Sequence, residues 1–179
     1  MASRPESVGH NQQHAPGWIS SALDRFEADL LRYAGRILGD ADRARDVVQD
    51  TFLQLCREEQ GELNGRLAPW LYTVCRNRSL DVKRKEKRMT TAVDAKLMEG
   101  ADEQDTPDRQ AERVETTSRV LQFISELPDN QREVIRLKFQ GGLTYRQIAE
   151  VTGFSATNVG FLIHTGIKSL RKQLKPTDS

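Results

Sequence analysis

The 179-residue sequence predicts an all-α protein, two small helical domains joined by a flexible acidic linker. Three observations carry that expectation. Apolar residues recur at three- and four-residue steps, the period of one helix face, and no apolar/polar alternation is long enough for a sheet. Residues are 37% hydrophobic, 30% charged and only 6% aromatic, which suits thin helical cores and argues against a large sandwich or barrel. One polar, acidic, weakly periodic stretch, residues 89–112, separates the periodic segments into two groups.

The elements follow in order. Residues 1–19 hold Pro5, Gly9, Pro16 and Gly17 without periodicity and read as a disordered tail. His10 and His14 in that tail would align as ligands only on a helix, so no metal site is assigned. The first domain covers residues 20–88. Ser20 can cap a helix whose stripe is Leu23, Phe26, Leu30, Tyr33 and Ile37, closed by Gly39-Asp40. A second helix shows Ala44, Val47, Val48, Thr51, Phe52 and Leu55 on one face. The third starts near Pro69, with Trp70, Leu71, Val74 and Cys75, and runs into the Lys/Arg cluster ending at Arg88.

The second domain covers residues 113–175. Val114, Leu121 and Ile124 mark a helix stopped at Leu127-Pro128. Asp129 opens another, with Val134, Leu137 and Lys138, ending at Gly141-Gly142. Thr144 then caps a short helix with Ile148, Ala149 and Val151 inward. Gly153 makes a tight turn, and Ser155 caps a last helix whose inward face is Val159, Leu162 or Ile163, Ile167 and Leu170. A short helix, a Gly turn and a second capped helix make a helix-turn-helix, whose second helix reads a major groove. Ala156, Thr157, Asn158 and Phe161 would face base edges, and Arg146, Lys168, Arg171 and Lys172 phosphates. An ordinary helical hairpin has the same pattern.

Charge sharpens the choice. The net charge of +1 arises from segments of opposite sign: −3 over residues 1–69, +5 over 70–88, −5 over 89–118 and +6 over 131–175. Two basic blocks on either side of an acidic connector suggest two polyanion-binding modules, although either block alone is equally read as a solvated helix face. In the first block Trp70 and Tyr72 stand among Arg76, Asn77, Arg78, Lys83, Arg84 and Lys85, a mixture suited to an opened DNA strand. Trp70 beside Leu71 at the start of a helix is more often a core residue than a stacking platform.

Other classes are excluded. No apolar run approaches the roughly 20 residues of a membrane helix, and the N-terminus has no apolar signal segment. Two cysteines, Cys56 and Cys75, favour a reducing cytoplasm and are expected as small buried hydrophobes, with a redox switch as the other reading. No phosphate-cradling Gly loop, metal cluster or nucleophile–base pair occurs, so neither an enzyme nor a cofactor is expected.

Three stretches give a resemblance. DADRARDVVQDTFLQL, APWLYTVCRNRSLDVKRKEKR and the segment Leu127–Leu174 resemble, in order, parts of bacterial RNA polymerase sigma factors of the sigma-70 family, extracytoplasmic-function group. The resemblance implies a non-catalytic initiation subunit, with promoter DNA and core polymerase as partners, no membrane insertion, and room for an anti-sigma factor. Asp46, Val47, Gln49, Asp50, Phe52 and Leu53 match the helix that docks on the clamp helices of the largest subunit. Trp70, Tyr72, Arg76, Asn77, Asp81 and Arg84 match positions that read and melt the −10 element, and Arg78, Lys83 and Lys85 join them by charge. Leu137–Leu143 fall where the family meets the flap of the second-largest subunit. Thr144, Ser155 and His164 complete the implied −35 face with the helix-turn-helix residues named above. One departure stands out: where the family's recognition helix commonly carries cations, this chain has Gly160, Leu162, Thr165 and Ile167. A stand-alone helix-turn-helix regulator and a polymerase-binding adaptor are the other readings.

Overall fold

A computed structural model describes residues 17–90 and 120–174, and all regular structure within them is helical. The first domain is built from α1 (Gly17–Leu38), α2 (Ala41–Leu55) and α3 (Leu67–Thr90). The second is built from α4 (residues 120–125), α5 (Asp129–Phe139), α6 (Tyr145–Thr152) and α7 (Ala156–Leu174). The expectations for His10, His14, most of the acidic linker and the start of the helix before Leu121 lie outside the described residues.

The first helix begins earlier than the periodicity indicates. Gly17–Ile19 belong to α1, and Ile19 is 3% exposed, so burial of that side chain extends the helix into the segment read as tail. Gly39 ends it at φ +68°, a left-handed conformation that a residue without Cβ adopts at low cost. Asp40 immediately caps α2 by accepting from the Arg43 N–H at 2.9 Å. The core gathers Phe26, Leu30 and Ala34 of α1, Val48 and Leu55 of α2, and Leu71 and Cys75 of α3. Two hydroxyls buried there are satisfied within their own helices, Thr51 donating to the Val47 carbonyl and Ser79 to the Cys75 carbonyl, each at 2.8 Å.

Burial separates the two cysteines, against the expectation that both are buried. Cys75 is wholly buried, and Cys56, at the exposed C-terminal end of α2, is not. Burial pushes the Cys75 thiol from 9.0 up to about 12. The fold therefore holds the neutral thiol. The stability this contributes is complete below pH 9.0 and is lost as pH climbs from there towards 12. A thiol reagent at neutral pH is expected to label Cys56 and to reach Cys75 only in denaturant; equal labelling rates in the native protein would contradict this burial.

In the second domain Val134 and Leu137 of α5, Ile148 and Val151 of α6, and Val159 and Ile163 of α7 form the centre. Ile163, of the two sequence alternatives, points fully inward, and Leu162 is half-buried. Gly166 is a packing residue. A Cβ there would lie 2.6 Å from Ile135 Cδ1, so the tip of the Ile135 side chain occupies the space a side chain at 166 would need.

The two domains close on one another. One apolar cluster runs from Ile19 through Leu71 and Tyr72 to Leu143 and Ile163, and α3 packs on α6. Tyr72, on the first domain, is 2% exposed. A Cβ on Gly141 of the second domain would lie 3.0 Å from its ring carbon Cζ, so the tip of the Tyr72 side chain lies directly against the Gly141 backbone.

Candidate nucleic-acid interface

The helix-turn-helix is specified by its own residues. Thr144 and Gln147 form a capping box: the Gln147 N–H donates to Thr144 Oγ1 at 3.3 Å, and the Thr144 N–H donates to Gln147 Oε1 at 2.9 Å. Gly153 turns the chain at φ +80°. Ser155 Oγ accepts from the Asn158 N–H at 3.1 Å and starts α7. The Thr144 and Ser155 oxygens, expected on the −35 face, are thus engaged in capping. Ala156, Thr157, Asn158, Phe161, His164 and Lys168 share the exposed side of α7, with Arg146 exposed on α6. Phe161 is 65% exposed.

Tyr145 lies beside this face and was not legible as part of it. A Cβ on Gly160 would meet its ring at 3.5 Å, and the Lys138 ammonium sits 5.6 Å from the ring centroid. The only available signal was an aromatic one residue past a cap.

On α3 the basic block divides by face. Asn77, Arg78, Asp81, Lys83, Arg84 and Lys85 are exposed, with Arg84 pairing to Asp81 at 3.3 Å. Trp70 is half-buried against the core and shares a cavity of about 360 Å³ at the domain seam with Arg66 and Glu150. Tyr72 belongs to the core, a correction to its expected place at a DNA surface in this closed arrangement. Its ring meets Tyr33 edge-on, with centroids 5.3 Å apart.

Arg76 is turned away from its exposed neighbours. Its guanidinium donates to Glu133 of α5 through Nε at 2.8 Å and Nη2 at 3.3 Å. The Tyr33 hydroxyl donates to the same carboxylate at 2.8 Å. Burial first, and then the Glu133 charge, push the Tyr33 hydroxyl well above its usual value, so it stays a donor. The hydrogen bond with Glu133 likewise raises Arg76 and keeps it cationic. Sequence reasoning missed Tyr33 and Glu133; they meet across about half the chain, beyond any local pattern.

The acidic helix also divides. Asp46, Gln49, Asp50 and Leu53 form an exposed row on α2 beside an open groove of about 510 Å³ between α1 and α2. Val47 and Phe52, expected to dock with them, are 4% and 6% exposed and pack in the core. Phe52 also lines that groove beside Leu53.

Fold and surfaces define a two-module helical protein with a helix-turn-helix and separated acidic and basic faces. The models of sigma-70 region 2 and of sigma-70 region 4 match residues 23–89 and 117–170. An extracytoplasmic-function (ECF) RNA polymerase sigma factor, SigL of Mycobacterium tuberculosis, is 31% identical over 88% of this chain and 89% of its own length. SigW of Bacillus subtilis is 28% identical over 88% and 89%. The sigma factor RpoE of Bartonella quintana, solved in complex with the anti-sigma factor NepR, superposes with a TM-score of 0.71 at 22% identity, over 90% of this chain and 99% of that one. The chain belongs to the sigma-70 family of RNA polymerase sigma factors, in its ECF group. Its function is that of the family: directing the polymerase to promoters and initiating transcription there.

Proposed function

We propose that the chain works as a two-handed initiation subunit, with the exposed row on α2 gripping core polymerase and each domain holding one promoter element. The observation that carries this reading is the separation of surfaces. Asp46, Asp50, Gln49 and Leu53 form an acidic and apolar row that repels phosphate and suits a protein partner, and the cations Arg78, Lys83, Arg84 and Lys85 occupy another helix. On this reading the α2 row meets the clamp helices of the largest subunit. Leu137–Leu143 mark the flap contact; Leu137 and Leu143 are buried, which leaves Phe139, 64% exposed, as the apolar side chain available to it.

The exposed side of α3, with Asn77, Arg78, Asp81, Lys83, Arg84 and Lys85, reads and opens the −10 element. The exposed side of α7 reads the −35 element, with Arg146 and Lys168 on phosphates. Each module binds weakly alone; the polymerase holds both at promoter spacing so their affinities compound. The reading carries a cytoplasmic site of action, no catalytic group, and an anti-sigma factor as a further partner. Among the described residues no helix is long and apolar enough to cross a membrane.

The test is run-off transcription with purified core polymerase on a genomic fragment library. Transcripts that begin at a shared pair of promoter elements are expected only when the chain is added. Their absence, with core binding intact, would leave an adaptor; tight promoter binding without polymerase at high salt would instead favour a stand-alone regulator.

A further inference from the structure

The outward side of α7 is laid out by its helix period. Val159, Ile163, Gly166 and Leu170 are buried, so Thr157, Asn158, Phe161, His164 and Lys168 lie on the opposite side. Phe161 stands at the centre, one turn along the helix from Thr157, Asn158 and His164.

The first turn leaves one amide ready to pair. Ser155 Oγ accepts from the Asn158 N–H at 3.1 Å, which fixes the Asn158 backbone. The Asn158 side chain is exposed, and its amide makes no hydrogen bond among the described residues. A primary amide presents a donor and an acceptor side by side. Adenine offers the complementary pair on its major-groove edge, N7 as acceptor and the N6 amino group as donor.

The partners of the other bases are missing from this face. Guanine is read by an Arg or Lys on O6 and N7, and cytosine by a carboxylate on N4. Between Tyr145 and Ile167 the only Lys or Arg is Arg146, on α6, and α7 carries no Asp or Glu. Its cations begin at Lys168, in the fourth turn, beyond the N-terminal residues that enter a major groove. Ala156, the Thr157 methyl and the Phe161 ring are apolar, and the apolar group on a base edge is the thymine methyl.

We infer that α7 selects an A·T element: Asn158 pairs with one adenine through N6 and N7, Thr157 and Phe161 lie against thymine methyls, and no guanine is required. This rests on the reading of α7 as the −35 surface and adds the sequence class that the surface takes. His164 does not shift the choice. Its ring N–H can donate a single bond to a purine N7, which adenine and guanine share.

The test uses holoenzyme assembled from the full chain and core polymerase. The upstream element of a promoter found by run-off transcription is randomised, and templates that still give transcript are sequenced. Adenine and thymine are expected to be enriched through the element. At one position wild type should prefer adenine over guanine by about tenfold, within the discrimination of a bidentate pair. Asn158→Ala is expected to lose that preference and Asn158→Arg to move it to guanine there, which a merely structural residue would not do. Both variants keep the Ser155 bond, made to the backbone N–H, and both new side chains favour a helix more than Asn does. Replacing the adenine with 7-deazaadenine, which lacks the N7 acceptor, should weaken wild type and leave Asn158→Ala no weaker.

An obligatory guanine in the selected element overturns the inference, as does an adenine preference that Asn158→Ala retains. Active templates with no shared upstream preference give a different result: they remove the −35 reading of α7 itself, and the inference with it.

Discussion

Replacing Arg84 with glutamate is expected to abolish promoter opening while leaving polymerase binding intact, and replacing Leu53 with glutamate to abolish polymerase binding itself. Arg84 lies on the exposed side of α3, paired only with Asp81 one turn away at 3.3 Å. An exposed i,i+3 pair contributes little to the fold, so reversing its charge costs the helix only about 0.2–0.5 kcal/mol through repulsion with Asp81. At the DNA the same change removes one phosphate contact and adds an anion. Open complexes, read by permanganate reactivity of unpaired thymines, are expected to fall by at least about tenfold, equivalent to ~1.4 kcal/mol. The salt dependence of promoter binding should flatten by about one phosphate contact, a slope change of roughly 0.9.

Leu53 is 53% exposed on the acidic row of α2, where no described element covers it, so glutamate there leaves the core undisturbed. It withdraws an apolar contact worth about 1.5–3 kcal/mol if fully buried by the partner. Core binding measured by co-sedimentation should therefore drop more than about tenfold. If Arg84→Glu loses polymerase binding, or Leu53→Glu retains it, the division between the two surfaces is wrong.

What the sequence made legible follows from the range of the interactions. Caps and turns are written within four residues, so Thr144, Gly153 and Ser155 predicted the helix-turn-helix, and the geometry has each of them in that role. Helix period identified the buried face of α2, including Val47 and Phe52. Those same two residues were also carried over as docking residues, because a resemblance transfers a stretch of sequence and does not separate its inner from its outer face.

Gly166 looks like a loss of helix propensity along the chain, and only the Ile135 side chain of α5 lying against it explains it. The Tyr33–Glu133–Arg76 cluster had no local signature at all. Two charged residues and a tyrosine far apart in sequence announce nothing until the domains close.

The second large effect concerns the departure in the recognition helix. The first three turns of α7 carry no Lys or Arg, and their outer side offers Ala156, Thr157, Asn158 and Phe161. On the proposed reading, phosphate attraction at that helix comes from Arg146 on α6 and from Lys168 onward, at the edges of the exposed face. The centre is apolar, with an aromatic ring 65% exposed. In a major groove the matching apolar group is the thymine methyl.

Phe161→Asp is thus expected to eliminate −35-dependent transcription, since it removes that contact and brings a carboxylate towards the DNA backbone. The fold should survive, because the side chain packs on nothing that its exposure would not already leave to water. The chemical probe is milder and more specific. Once run-off products define the −35 element, replacing its thymines by deoxyuracil deletes only methyl groups, each worth about 0.8 kcal/mol or roughly fourfold in affinity when buried. Wild-type holoenzyme should lose that factor at one or two positions, and a Phe161→Ala holoenzyme should lose nothing further there. Equal losses in both would place the methyl contact elsewhere on α7 and leave Phe161 to a protein partner.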